Sequence, residues 1–327
     1  MFNQHVWPAD RMATLQMALR LGNRAARQSV GLDLDGSYIS AVAISDGIIQ
    51  QAATADLPAG LIRDGEVEDV DGLAQAIKSF FRGQNLGKNV LLGVANQQIA
   101  VRSLEIPPIE DAQERTAAVR FQASEAVAMP LDEAVLDYEV IGETTTGEGS
   151  SLLRVIVVAA REPMIMRLVD AVRGAGLRPD GIDLSAFALM RIVAPENEAE
   201  PAPARIYCHL AGVTNLAVGV GNTCVFTRPL ATVWDGGSQE FVSALAEEIR
   251  LSMDYYVGQP DARQVGEILL SGPGSQRPGM AEQVAGLVGL PVAVAQPLGR
   301  LGAASLRVGD DPSRYTVAAG LALGGSA

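Results

Sequence analysis

Residues 30–45, VGLDLDGSYISAVAIS, set two carboxylates, Asp33 and Asp35, and a glycine inside an otherwise apolar run. Two residues apart on an extended chain, the carboxylates share one face. Three chemistries follow: a cation loop, an acid/base pair, or a turn that meets an anion with its backbone. A calcium loop of the EF-hand kind needs glycine at its sixth position and glutamate at its twelfth. Counted from Asp33 the glycine is fourth, and no glutamate comes before Glu66. An acid/base pair wants a partner constellation, and none accompanies it. The hairpin remains. Asp35-Gly36 between two apolar runs is the pair expected at a two-residue turn with both residues at positive φ, and its amides could face an anion.

The other chemistry-bearing residues are few. Cys208 and Cys224 are the only cysteines and form no C-x-x-C pair, and His5 and His209 are the only histidines. That is too small a ligand set for zinc, and the cysteines read as buried thiols of a reducing compartment. A chain of 327 residues with 48% apolar and 19% charged residues is globular and long enough for one composite domain or two lobes. Its net charge of −13 argues against nucleic acid as a partner. No stretch approaches the ~20 apolar residues of a membrane span, and Arg11, Gln16 and Arg20 interrupt any signal-peptide core. A cytoplasmic protein is expected.

The elements that must position Asp33 and Asp35 follow from periodicity. Residues 9–27 read as a basic amphipathic helix, suited to a membrane face, a partner or its own domain (1–26 as a unit). VGLDL, the Asp35-Gly36 turn and SYISAVAIS make a hairpin. A helix at 71–83 and a strand at NVLLGVA complete a small α/β unit. From 99 to 182 the pattern changes to strand, long helix, strand, a solvated GETTTGEGSS turn, strand and helix, an α+β module inserted into that unit. PENEAEPAPA, 195–204, is an acidic, proline-rich linker. After it, IYCHLAGVTNLAVGV repeats the opening shape, an internal pseudo-repeat. The expected units are a first lobe at 27–98 completed by 183–194 and 312–327, the insert at 99–182, the linker, and a second lobe at 205–311.

The order of these pieces resembles the type IV pilus assembly protein PilM family, relatives of FtsA in the actin-like ATPase superfamily. The resemblance rests on VGLDLDGSYISAV, LPAGLIRDGEVED, AVLDYEVIG with VIVVAAREP, AGLRPDGIDLSAFAL, EEIRLSMDYY, ILLSGPGSQRPGMAEQVAGLVGLPV and TVAAGLAL, from Val30 to Leu323. It implies an α/β, two-lobed, actin-like (ribonuclease H-like) fold with a small α+β insert in the first lobe and a reduced second-lobe subdomain. In such proteins two hairpins, one per lobe, grip a nucleotide in the cleft. Carried over by position, the first hairpin supplies Asp33, Gly36 and Ser37. The second supplies Gly212 and Thr214. Gly272, Gly274 and Ser275 stand at the adenosine side, with Glu248 at the ribose.

The chain also departs from that pattern. Asp35 stands where the family has glycine, Ser40 where it has lysine and His209 where it has aspartate, with Ala211 and Gly212 roughly replacing the next glycine. A lost charge-assisted contact costs roughly 1.5–3 kcal/mol, about ten- to a hundredfold in affinity, and neutral imidazole is a poor ligand for hard Mg²⁺. ATP and Mg²⁺ are thus implied as ligands held weakly or not at all, with no catalytic or metal residues assigned. Asp35→Gly with Ser40→Lys is the pair of changes expected to raise affinity. Only eleven positions separate Gly237 from Glu248, where the family usually carries a helical wall, so a cleft open on one side is expected.

The function so implied is a scaffold of the pilus assembly platform, at the inner face of the cytoplasmic membrane. It would bind the N-terminal tail of a PilN-like single-span membrane protein between insert and first lobe. The platform itself, an assembly motor ATPase and further copies of the chain are other implied partners. A working ATPase and an FtsA-like filament protein are the alternatives. The filament reading wants a C-terminal membrane helix, whereas LALGGSA follows the last core helix closely.

Overall fold

A computed structural model describes residues 29–145, 149–195, 201–232, 234, 236–259, 262–303 and 311–326. The basic N-terminal segment and the centre of the acidic linker lie outside them. The first lobe opens on three antiparallel strands, β1 (Ser29–Leu34), β2 (Tyr38–Ser45) and β3 (Ile48–Asp56). A short hairpin, β4 (Ile62–Arg63) with β5 (Glu66–Val67), leads to helix α1 (Val70–Phe81). Strand β6 (Asn89–Val94) then returns parallel to β1. Asp69 starts α1 by accepting the Gly72 amide at 2.9 Å, which satisfies a first-turn donor. Leu73, Ala74 and Ile77 bury one helical face.

The chain now leaves the first sheet for β7 (Ala100–Ile106), α2 (Ala112–Ala126), β8 (Ala134–Thr145), β9 (Ser151–Arg161) and α3 (Glu162–Gly174). It returns as β10 (Arg178–Leu184), parallel to β6, and helix α4 (Ser185–Val193). Strands β7, β9 and β8 form their own sheet in that order. Residues Gly142–Thr145, expected in a solvated turn, continue β8 and pair with Ser151–Arg154. Backbone pairing there wins over a polar, glycine-bearing sequence.

The second lobe repeats the plan with β11 (Ala204–His209), β12 (Asn215–Val220), β13 (Thr223–Pro229), α5 (Gln239–Val257), β14 (Val265–Ser271), α6 (Met280–Val288) and β15 (Val292–Val294). A short β16 (Gly302–Ala303) joins the edge of β3, and α7 (Thr316–Ser326) ends the fold. From the third strand of each lobe the sheets run β3-β2-β1-β6-β10 and β13-β12-β11-β14-β15. Both therefore place strands third, second, first, fourth and fifth, with the first hairpin turn of each lobe in the same topological position. The two-lobed α/β expectation and the pseudo-repeat hold at the level of strand order. Among the described residues no helix is long and apolar enough to cross a membrane.

The lobes share one apolar cluster. Val42 and Ile44 of β2, Leu189 and Met190 of α4, Tyr207, Ala217, and Ala318 and Ala322 of α7 pack together. Strand β2 is buried almost throughout, as expected of a strand covered on both faces. The small residues of TVAAGLAL let α7 lie directly on α4 and β1. A Cβ on Gly320 would overlap the Ala188 carbonyl oxygen, and one on Gly31 the Ala318 carbonyl oxygen. Overpacking at such a backbone contact costs about 1–3 kcal/mol. Gly320→Ala should therefore lower the urea-unfolding free energy by that amount. Gly286→Ala on the exposed face of α6, where nothing lies within 4 Å, should raise it by about 0.5–1 kcal/mol. Equal effects at the two sites would show that the α4–α7 contact is not tight.

Candidate functional site

The ends of β1 and β11 bring the two hairpin turns face to face. In the first, β1 and β2 pair up to Leu34 and Ile39, and the Asp35 amide donates to the Tyr38 carbonyl at 3.1 Å. Only Gly36, at φ +98°, takes a positive φ. The turn is thus not the two-residue form expected from Asp35-Gly36. Its geometry is set instead by the destination of the Asp35 side chain.

That side chain crosses to the second lobe. Asp35 Oδ2 accepts the Gly212 amide at 2.7 Å, and Oδ1 faces the Val213 amide at 3.4 Å. The Ser37 hydroxyl donates to Oδ2 at 2.8 Å, fixing the carboxylate within its own turn. Gly212 is required by proximity: a Cβ there would sit 2.5 Å from the Asp35 carbonyl oxygen and 2.7 Å from Oδ2. Across the cleft the two hairpins meet. The space between them is about 40 Å³, lined by Asp33, Asp35, Ser185, His209, Val213 and Asn215 among others. Among the described residues no lysine or arginine lines it.

The electrostatics follow from burial. Asp33 is 5% exposed, and burial, then the Asp35 charge, push its carboxyl well above the usual range, with the Tyr38 hydroxyl working the other way. Burial raises Asp35 from 3.8 to about 6, while the Gly212 amide, the Ser37 hydroxyl and the Val213 amide hold it down. The donors sit on Asp35, so the negative charge of the pair rests there and Asp33 favours its proton. His209 is pushed down from 6.5 to about 4 by burial alone. It is neutral at pH 7, with Nδ1 3.0 Å from the Ser271 hydroxyl and Nε2 buried without a partner among the described residues.

Ser40 does not reach the cleft. It is fully buried and donates to the Arg314 carbonyl at 2.8 Å. The Arg314 guanidinium turns away, onto Asp56 at 2.8 Å and over the Tyr38 ring. The Ser40 hydroxyl is thus taken up by the Arg314 carbonyl rather than by the cleft. Thr214 is fully buried on the second turn, and its carbonyl accepts the Leu230 amide at 2.7 Å.

The adenosine-side residues are placed by packing within the second lobe. Gly272, at φ +80°, lies against His209 and the Leu210 carbonyl, and Gly274 lies under the Trp234 ring and Leu210. The Ser275 hydroxyl donates to the Gly272 carbonyl at 2.7 Å. Glu248 stands apart from these. It pairs with Arg228 and lines a separate groove of about 860 Å³ with Arg102, Met129, Arg161 and Tyr255, between the insert and β13. Trp234 and Arg314 were missed in the sequence because their roles depend on contacts with distant segments. The Asp35 bridge had a signal, an acid at a glycine position facing a second amide-bearing turn. Cys208 and Cys224 are buried free thiols, pushed up to about 12 by burial.

Comparison with known proteins decides the family. The model for "Type IV pilus assembly protein PilM" matches residues 31–229 and 238–326. The chain belongs to the PilM family. The fold is similar to that of a PilM-PilN type IV pilus biogenesis complex, at a TM-score of 0.77 and 22% identity, over 92% of this chain and 99% of that one. It is also similar to the ethanolamine utilization protein EutJ from Carboxydothermus hydrogenoformans, at a TM-score of 0.51 and 14% identity, over 94% and 93% of the two chains. These likenesses give the two-lobed actin-like fold.

The buried groups make opposing contributions to stability. Between pH 4 and 6 folded Asp35 keeps a proton that the unfolded chain releases, so its contribution falls as pH rises. In the same window the unfolded chain protonates His209 and the folded protein does not, so that contribution rises with pH. Removing Asp35's titration with Asp35→Asn should make the unfolding free energy climb more steeply from pH 4 to 6, by up to about 1.4 kcal/mol per pH unit. His209→Gln should flatten the climb. Denaturant titrations at several pH values measure both, and parallel curves for all three proteins would refute the assignment.

Proposed function

We propose that the protein is a scaffold of the type IV pilus assembly platform. It works at the inner face of the cytoplasmic membrane and holds the N-terminal tail of a PilN-like single-span membrane protein. The observation that carries this reading is a groove of about 520 Å³ where the inserted sheet, helix α4 and the β12–β13 turn of the second lobe (Asn222, Thr223, Cys224) meet. One wall is Val140, Ile141 and Ile156 of the insert, and the other is Phe187, Met190 and Ala194 at helix α4. Strand β8, which contributes Val140 and Ile141, is an edge strand of its sheet. Glu139 and Arg191 also line the groove, and an edge strand beside a groove of mixed apolar and polar lining suits an extended peptide, with backbone pairing for affinity and side-chain contacts for selectivity. The likeness to a PilM-PilN complex supports the same partner.

In this reading the interlobe cleft needs no nucleotide. The residues present do not fit Mg²⁺-ATP. A small-molecule site encloses roughly 300–1,000 Å³, against about 40 Å³ between the hairpins. Asp35 takes the second-lobe amides, no lysine or arginine among the described residues lines the space between the hairpins, and His209 offers a neutral imidazole in place of a carboxylate. Among the described residues no cluster of three or more histidine, cysteine or acidic side chains could hold a metal ion.

Calorimetric titration with the N-terminal peptide of the PilN-like protein tests the partner. Binding is expected to weaken about tenfold or more in Val140→Glu, from lost apolar contact and a buried charge. The melting temperature should be unchanged, since Val140 is 41% exposed. Equal affinity would place the peptide elsewhere. Titration of the same protein with Mg²⁺-ATP should give no saturable heat at micromolar nucleotide, and micromolar binding would overturn the nucleotide-independent reading.

A further inference from the structure

We infer that Asp35 is a built-in ligand of the second lobe, its carboxylate occupying the amide seat of the Gly212 turn and holding the two hairpins together with no solute between them. This rests on the reading of the cleft as nucleotide-independent and supplies the means.

Four observations converge on it. The carboxylate meets two consecutive amides of a turn 177 and 178 positions away in the chain. Consecutive backbone N–H groups aimed at one point are the usual device for holding phosphate or carboxylate oxygens. Second, the approach is close enough to demand glycine at 212. An aspartate that merely shaped its own turn, through the Tyr38 carbonyl and the Ser37 hydroxyl, would have no reason to be that near. Third, Asp35 is 9% exposed, and a buried carboxylate persists only where donors meet it. The Gly212 and Val213 amides and the Ser37 hydroxyl are those donors. Fourth, among the described residues no lysine or arginine lines the cavity. A tri- or tetra-anionic phosphate chain would be uncompensated here, whereas a single carboxylate matches the two amide dipoles. The seat therefore takes an oxyanion of low charge, and the chain provides one.

The lobes share their apolar cluster at β2, α4 and α7, so they are tied on one side by packing and on the other by Asp35. Ser37 orients the carboxylate and does not itself cross the cleft.

Hydrogen exchange at the Gly212 and Val213 amides, resolved by nuclear magnetic resonance, tests the inference on the full chain. In the unmodified protein both amides should be protected, and exchange at the rate of an unstructured loop would overturn the proposal without any variant. Asp35→Ala should speed both amides by about ten- to a hundredfold, the range of one charge-assisted hydrogen bond. Ser37→Ala should leave them within about threefold, since the crossing contact remains. Unchanged exchange in Asp35→Ala would show that burial alone protects the turn, and the proposal falls. Inorganic phosphate at millimolar concentration should slow both amides in Asp35→Gly, where the seat is vacated, and leave the unmodified protein unaffected. No slowing in that variant, or slowing in the unmodified protein by phosphate or Mg²⁺-ATP, would each refute the carboxylate's tenancy. The peptide titration reads a different groove. Loss of peptide binding with Gly212 still protected overturns the partner alone, and the reverse result overturns only the bridge.

Discussion

The arrangement depends on the packing of α4 and α7 between the two sheets. Their small residues bring backbone against backbone at Gly320 and Gly31, and the apolar cluster around them takes side chains from both lobes. Interiors packed to this density deform little, so the rear of the molecule acts as one body. At the other end the hairpins meet, and there one side chain of the first turn crosses between the lobes.

The same geometry explains which acid carries charge. Asp33 and Asp35 are both buried, and two adjacent buried carboxylates cannot both ionise without strong compensation. The donors at the cleft converge on Asp35, which leaves Asp33 to hold its proton. His209, buried and neutral, adds no cation to the balance. The region is self-consistent with a single negative charge, and that charge lies on the group with the most amide contacts.

Much of this was legible in the sequence, and the boundary is physical. The repeated hairpin and the change of pattern at the insert were read from local periodicity, whereas strand order and the caps at Asp69 and Asp111 were not read from it. The match of VGLDLDGSYISAV and AGLRPDGIDLSAFAL to a family extended that reading to the whole fold. Asp35 was recognised as anomalous, but the conformation of its turn and its contact with the second hairpin were not foreseen. Its partners are Gly212 and Val213 on another lobe, and no pattern in residues 30–45 encodes them. The same holds for Ser40, whose hydroxyl is taken by Arg314 near the chain's end. It holds too for Gly274, whose lack of a side chain answers to Trp234 and Leu210. Glu248 was placed by analogy, and the Arg228 opposite it on β13 draws it into another groove.

A ligand carried on the chain has no free concentration. Binding of a dissolved anion would stabilise the joined lobes in proportion to the logarithm of its abundance, so the shape of the protein would follow the state of a metabolite pool. The Asp35 carboxylate is always present at the same short range, and its occupancy of the Gly212 turn is indifferent to starvation or plenty. In the proposed arrangement such a component keeps one shape while the supply of a dissolved anion fluctuates, and a response to that supply in an assembly would come from some other part.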